Sequence, residues 1–410
     1  MKGPFEAVKI TDQVYWVGAV DWAVRNFHGY LTSRGTSYNA YLVVAEKITL
    51  IDTVKSPFKN ELLSRIASIV DPTRISYIVS NHAEMDHSGC LLDVIRAVKP
   101  DKVFASCRGV QALDEHFHFE QELVPVKDGE NLSLGNLDLT FVETPMLHWP
   151  DSMFTYLADK ALLFSQDGFG MHFASSERFD DELDGSLLEQ EAEKYYANIL
   201  MPLSSLVTKL LDKVGKLGIK IDIIAPDHGP IWRKDLNKIL KLYARWAGQT
   251  PTTKAVVVYD TMWGSTAAMA RAVGEGLTEG GAHPVLIPLG SCHRSDVAAE
   301  LLDAGALLVG SPTINNHMFP TVADVLTYVE GLKPRNLVGV AFGSYGWSGE
   351  AVGHLEEILG KMKVELVSES LRAKYVPTEE NLAECRATGL RVAEELGKRC
   401  SEQDVAEGAA

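Results

Sequence analysis

The apolar run Ile75–Ser80 ends in Asn81-His82-Ala83-Glu84-Met85-Asp86-His87-Ser88-Gly89, which packs four metal-ligating side chains into six residues. No other stretch constrains the fold as tightly. Residues two apart at a strand end share a face, so His82 and Glu84 can converge on one metal while Asp86 and His87, in the following turn, swing toward a second. Three further candidates recur downstream: His148 in Leu-His-Trp-Pro-Asp, Asp167 in Ser-Gln-Asp-Gly-Phe-Gly, and His228 in Pro-Asp-His-Gly-Pro. A single His beside an Asp is ordinarily a surface pair, and any one of the three would carry little weight alone. Together with the loop they describe a dinuclear site.

His-x-Glu-x-Asp-His followed by spaced His, Asp and His resembles the metallo-β-lactamase superfamily, whose usual loop is His-x-His-x-Asp-His. Glu84 stands where the second His would be, and an anionic oxygen there suits iron or manganese better than a nitrogen-rich zinc site does. The resemblance implies one metal on His82, Glu84 and His148, another on Asp86, His87 and His228, and Asp167 between them. Three carboxylates and a bridging hydroxide balance two divalent ions, zinc as well as iron. Asp151 and Asp227 are close enough in sequence to orient the histidines, although a salt-bridge or capping role is the first expectation for each.

The chain of 410 residues is long enough for two or three cores. Eight of its twelve histidines precede residue 250, and Gly248 and Pro251 follow a helical pattern there, so we place a boundary between domains 1–250 and 251–410. The first half shows short β-rich runs, among them Tyr38–Val44, Ile48–Asp52, Leu137–Glu143 and Ala161–Phe164, with helical patterns at Lys59–Val70, Gly89–Val98 and Leu187–Leu217. This mixture predicts a layered α/β arrangement with two sheets. The second half alternates strands Ala255–Tyr259, Pro284–Leu289, Ala306–Gly310, Asn336–Phe342 and Val364–Glu369 with helix-length segments. Five buried parallel strands in this alternation predict a doubly wound sheet.

The first of those strands runs into Asp260-Thr261-Met262-Trp263-Gly264-Ser265-Thr266 and then a helix. Hydroxyls and free N–H groups at a helix N-terminus form a phosphate cradle, and no Lys follows Gly264 as a nucleoside-triphosphate loop would require. The segment resembles the flavodoxin phosphate loop Thr/Ser-x-Thr-Gly-x-Thr, with Thr261, Gly264 and Thr266 in register and Trp263 replacing the middle Thr. Two further loops follow the third and fourth strands: Ser311-Pro312-Thr313-Ile314-Asn315-Asn316 and Gly343-Ser344-Tyr345-Gly346-Trp347-Ser348-Gly349. In a flavodoxin-like sheet these border FMN at the switch point, with Tyr345 and Trp347 available to cover the isoalloxazine.

A metallo-β-lactamase-like αββα half with a Glu-substituted loop, followed by a flavodoxin-like half, resembles the flavodiiron protein family. Asp21-Trp22-Ala23-Val24-Arg25-Asn26-Phe27-His28-Gly29-Tyr30 and Tyr195-Tyr196-Ala197-Asn198-Ile199-Leu200 match recurring segments of that family. The resemblance implies FMN and two non-haem irons, reduction of O2 to water, of NO to N2O, or both, and a rubredoxin-type donor. Reduced FMN and a diferrous pair together hold the four electrons that O2 needs. It also implies a head-to-tail homodimer, or a dimer of such dimers, and places His28, His172 and Tyr195 or Tyr196 around the open side of the irons. Each of those four could equally be a packed core residue.

Lys plus Arg number 39 against 55 Asp plus Glu, and a net charge of −16 is the wrong sign for nucleic acid or an anionic membrane. Five scattered cysteines without a Cys-x-x-Cys pair read as reduced, mostly buried thiols, exclude a fused rubredoxin module, and fit a cytoplasmic protein. Lys209, Lys213, Lys216 and Lys220 fall on one helix face, a solvated surface or a docking patch for an acidic donor. Two other functions remain open at this level. A zinc hydrolase with an appended flavodoxin domain would cleave thioesters, phosphoesters or lactams, and an electron-transfer module would use the metal half only as structure.

Overall fold

The computed structural model describes residues 3–119 and 122–408, and the chain folds as two compact units. The first comprises residues up to His28, Thr32–Tyr195 and Ser205–Ala244; the second takes Gly29–Leu31, Tyr196–Ser204 and Arg245–Ala410.

The first unit is built on two sheets. Seven strands run in the order Val8–Lys9, Val14–Trp16, Tyr41–Val43, Ile48–Ile51, Ile75–Ser80, Lys102–Ser106 and Val124–Val126, the last four mutually parallel. Five more, Asn131–Ser133, Asp138–Glu143, Met153–Leu157, Leu162–Gln166 and Ile223–Pro226, form the second sheet. One apolar cluster, including Trp16, Tyr41, Ile51, Val79, Phe141 and Phe164, fills the space between the sheets. A second cluster seals the outer face of the first sheet against the helices Lys59–Ile69, Leu91–Val98 and Cys107–Phe117. Alternating side chains can serve two cores only because both faces of these strands are covered. This is the layered arrangement expected, with the helix Cys107–Phe117 added to it.

The helix expected over Leu187–Leu217 is interrupted. It runs from Gly185 to Tyr195, widens into one i→i+5 turn at Tyr196–Leu200, tightens over Met201–Leu203, and resumes at Ser204–Leu217. Pro202 supplies no N–H and cannot continue the regular ladder. The interrupting residues belong to the second unit, where Asn198 Nδ2 donates to Ser295 O at 3.0 Å and Asn198 Oδ1 accepts from the Tyr328 hydroxyl at 2.8 Å.

The second unit is a parallel sheet ordered His283–Pro288, Lys254–Tyr259, Ala306–Gly310, Val338–Tyr345, with the fifth position in two pieces. Glu365–Leu366 and Leu371–Lys374 both pair with Val338–Tyr345, where a single strand over Val364–Glu369 was expected. The closing helix Glu379–Gly408 lies against Ser265–Glu279. A Cβ on Gly276 would sit 1.9 Å from the Arg386 carbonyl oxygen, and one on Gly389 would sit 2.1 Å from that of Val273, so this reciprocal pair of glycines sets how close the helices come.

None of the five cysteines is in a disulfide, but only Cys90 and Cys385 are buried, while Cys107 and Cys292 are exposed. The expectation of mostly buried cysteines fails because the last two sit in a helix first turn and a loop. No helix among the described residues is long and apolar enough to cross a membrane.

Candidate metal centre and flavin cleft

Every metal candidate lies in a segment leaving, or linking, strands of the two sheets. His82 and Glu84 follow Ile75–Ser80, Asp86 and His87 lie in the short helix Met85–Ser88, and His148 lies in the loop before Met153–Leu157. Asp167 and His228 follow Leu162–Gln166 and Ile223–Pro226, which are parallel neighbours and deliver both residues to one end of the sheet.

There the side chains separate into two groups. In the first, His82 Nε2 is 3.3 Å from Glu84 Oε2 and 3.5 Å from Asp167 Oδ2, and His148 Nε2 is 3.2 Å and 3.1 Å from the same two oxygens. In the second, His87 Nε2 is 3.4 Å from Asp86 Oδ1 and 3.2 Å from Asp167 Oδ1. His228 Nε2 completes that group, 3.1 Å from Asp86 Oδ2 and 3.5 Å from Asp167 Oδ1. Asp167 thus offers one carboxylate oxygen to each group. The donor set fits metals: bonds of ~2.1 Å at tetrahedral to octahedral angles place neighbouring donor atoms ~3.0–3.4 Å apart. Both Asp167 oxygens and His87 Nε2 are buried without a well-formed hydrogen bond among the described residues, as expected of atoms aimed at a common third atom.

Electrostatics agree. Burial pushes the His82 imidazolium down, but hydrogen bonds to Asp151 and Glu84 and the Asp167 charge outweigh it and hold its pKa up at about 10. His87 and His148 are raised in the same way against burial, by Asp86 and by Asp167 respectively. Burial pushes Asp86 and Asp167 up, and the His87 charge more than reverses that for both. Without a metal, protons on imidazole stand in for the positive charge that three carboxylates demand.

The imidazoles are oriented from behind. His82 Nδ1 donates to Asp151 Oδ2 at 3.1 Å, and that oxygen also accepts the Ala83 N–H at 2.6 Å. His228 Nδ1 donates to the Ser37 carbonyl at 2.6 Å. His87 Nδ1 lies 3.4 Å from Asp227 Oδ2. Asp151 therefore orients a histidine as well as capping the loop, where a salt-bridge or capping role was the first expectation.

Around this cluster, His28 is exposed, with Nε2 3.6 Å from Glu84 Oε1. His172 is buried, hydrogen-bonded to Thr36 Oγ1 at 2.9 Å, and its ring centroid is 5.1 Å from Tyr195 and 4.7 Å from His228. Burial and the Asp167 charge keep the Tyr195 hydroxyl protonated. Tyr196 turns to other partners, Ser204 Oγ at 3.2 Å and the Trp246 ring, inside the second unit. Of the four lysines expected on one helix face, Lys220 lies beyond the end of the helix Ser204–Leu217; Lys213 pairs with Asp128 at 2.6 Å and Lys220 with Asp222 at 2.6 Å.

In the second unit a cleft of about 600 Å³ opens at the carboxyl ends of the parallel strands. Met262, Trp263, Ser265, Pro312, Thr313, Asn315, Ser344, Tyr345, Gly346 and Trp347 line it, as the three loops predict. Thr261, Gly264 and Thr266 stand behind the lining. Thr261 Oγ1 accepts the Gly264 N–H at 3.1 Å, Gly264 caps the helix at φ +88°, and Thr266 Oγ1 meets Ser344 Oγ at 2.9 Å. Asn316 and Ser348, in the two later loops expected beside FMN, also line the cleft, as do Tyr375 and Val376, which were missed. The last two follow Leu371–Lys374, a short strand with alternating basic residues that gives little apolar signal. The cleft fits a flavin mononucleotide: a helix N-terminus for phosphate, a buried Thr313 Oγ1 with no partner among the described residues, and aromatic walls in which Trp263 is 95% and Trp347 87% exposed.

A two-sheet sandwich with paired histidine–carboxylate groups, joined to a flavodoxin-type cleft, defines a redox protein that uses a flavin and two metals. Residues 36–229 match the ODP family beta lactamase and residues 257–389 match Flavodoxin. The chain is 49% identical to the nitric oxide reductase of Moorella thermoacetica, over 95% of this chain and 98% of that protein. It is 44% identical to the rubredoxin-oxygen oxidoreductase of Megalodesulfovibrio gigas, over 95% and 98% respectively. The crystal structure of the flavodiiron protein from Giardia intestinalis superposes with a TM-score of 0.95 at 37% identity, covering 98% of this chain and 99% of that one. The chain belongs to the flavodiiron proteins, oxidoreductases whose cofactors are FMN and two non-haem irons.

Proposed function

We propose that this chain reduces O2 to water, NO to N2O, or both, with electrons passed by FMN from a rubredoxin-type donor. The observation that carries the reading is the division of the Asp167 carboxylate, one oxygen toward each ligand group. Residues 1–250 would hold the irons, on His82, Glu84 and His148 and on Asp86, His87 and His228, and residues 251–410 the flavin. When bound, the iron pair supplies open coordination positions and, with FMN, the electrons.

The chain's own groups then bind, orient and move protons. Glu84, Asp86 and Asp167 neutralise the metal charge, and Asp151 and the Ser37 carbonyl fix the ring planes of His82 and His228. O2 reduction takes up four protons and the reduction of two NO takes up two. His28 Nε2, exposed beside Glu84, carries protons from solvent, while Tyr195 holds its own proton against Asp167. The exposed rings of Trp263 and Trp347 favour a second copy over the cleft, as in a head-to-tail homodimer or a dimer of such dimers, in the cytoplasm.

Glu84 Oε2, within reach of both His82 and His148, speaks for iron over the zinc hydrolase. The test is turnover of the iron- and FMN-loaded protein with reduced rubredoxin, following O2 and NO separately. Loss of O2 with water formed, or of NO with N2O formed, is the expected result and assigns the preference. No gas consumption by fully loaded protein would refute the reading.

A further inference from the structure

Two of the loops that wall the flavin cleft are tied to one residue outside the cofactor-binding set. The hairpin Thr313–Met318 turns at Asn315 and Asn316, both at positive φ (+50° and +63°), and both line the cleft. The loop Ser344–Ser348 lines it as well. Glu350 lies between them at the first residue of the helix Glu350–Lys361. Its Oε1 accepts a hydrogen bond from Asn316 Nδ2 at 2.8 Å, and only Gly349 separates Glu350 along the chain from Ser348, at the end of the other loop. The Asn316 bond and the backbone N–H of Glu350 itself hold this carboxyl below the usual range, so it is ionised at neutral pH. Its other oxygen is enclosed and has no hydrogen-bond partner among the described residues. Glu350 does not line the cleft itself.

We propose that Glu350 is a positioning residue for FMN: its carboxylate braces the Asn315–Asn316 turn against the Ser344–Ser348 loop and so fixes the spacing of the two walls that receive the flavin. A turn with two consecutive left-handed residues other than glycine is costly and persists where surrounding bonds over-determine it. The hairpin has a second anchor, the stacked rings of His317 and His354, with centroids 4.9 Å apart and planes at 29°. Removing Glu350 therefore loosens the turn without unfolding it. As a fixed anion beside the cleft, Glu350 also opposes negative charge gained by a reduced flavin.

The inference rests on FMN occupying this cleft, and wild-type binding tests that separately. FMN is titrated into flavin-free wild type, Glu350→Gln and Glu350→Ala, followed by quenching of flavin fluorescence, and the midpoint potential of the bound flavin is then measured. Glu350→Ala should weaken FMN binding about tenfold, the loss expected for one hydrogen bond to a charged group. Glu350→Gln keeps an oxygen for Asn316, so it should recover most of the affinity while its neutral charge moves the potential upward. If Glu350→Ala fails to fold, Asn316→Gly removes the donor instead, keeps the positive φ, and should show the same loss. Wild-type affinity in the Ala or Gly variant, or equal losses in Gln and Ala with no change in potential, overturns the role of Glu350 although FMN binds. No binding by wild type removes the flavin reading and this inference with it.

Discussion

Asp151 should control which of the two metals leaves first. Its Oδ2 is the acceptor for His82 Nδ1 at 3.1 Å and for the Ala83 N–H at 2.6 Å, and both donors are buried. Asp151→Ala leaves the imidazole of His82 free to rotate and its Nδ1–H unsatisfied. A hydrogen bond to a charged group contributes ~1.5–3 kcal/mol, and at ~1.4 kcal/mol per tenfold that is a ~10–100-fold loss of metal affinity. Outer partners of ligating histidines have effects of the same size. The loss falls on the His82, Glu84, His148 group, because none of the second group's histidines bonds to Asp151. Iron retained per chain, measured across a series of chelator concentrations, should drop from two to one at ~10–100-fold less chelator than in wild type, and Asp151→Asn should fall between. If Asp151→Ala holds both irons through the wild-type range, the orientation argument is wrong.

Other outcomes follow from the same geometry. Metal added to metal-free protein in weak buffer should release protons, because His82, His87 and His148 are held protonated by their carboxylate neighbours. Apparent affinity should accordingly fall as pH falls, and pH-independent uptake without proton release would contradict it. Thr313→Val should weaken FMN binding several-fold, since Thr313 Oγ1 has no partner among the described residues; an unchanged fluorescence titration would show that the hydroxyl does not meet the cofactor. Gly276→Ala should destabilise the second unit by ~2–3 kcal/mol, because the new methyl would force the helix pair apart. Its urea midpoint should fall, and an unmoved midpoint would show that the helices can separate freely.

The candidate metal centre was legible because the side chains that the fold gathers there are of chemically distinctive types and cluster in short polar loops between apolar strands. The partners behind them were less so: Asp151 is one acidic residue among many until folding brings it to His82 Nδ1. Tyr195 and Tyr196 were indistinguishable in sequence, since only the widened turn that begins at Tyr196 sends their rings to different neighbours. The phosphate loop followed from its strand and helix patterns, whereas Tyr375 and Val376 reach the cleft by way of a split edge strand. Four residues reading Leu-Arg-Ala-Lys give no periodicity that separates a strand from a loop.

That split strand bears on how the protein is made. Every candidate iron ligand has been synthesised once His228 is in the chain, but the flavin cleft lacks its last wall until Val376 is added, and the helix Glu379–Gly408 must then close over Ser265–Glu279. About 150 residues separate the two events, roughly 7–30 s of translation. A ribosome-bound chain can therefore gather its metal side chains well before it can retain a flavin. Premature termination in the final quarter would leave a metal-binding product with no route for electrons.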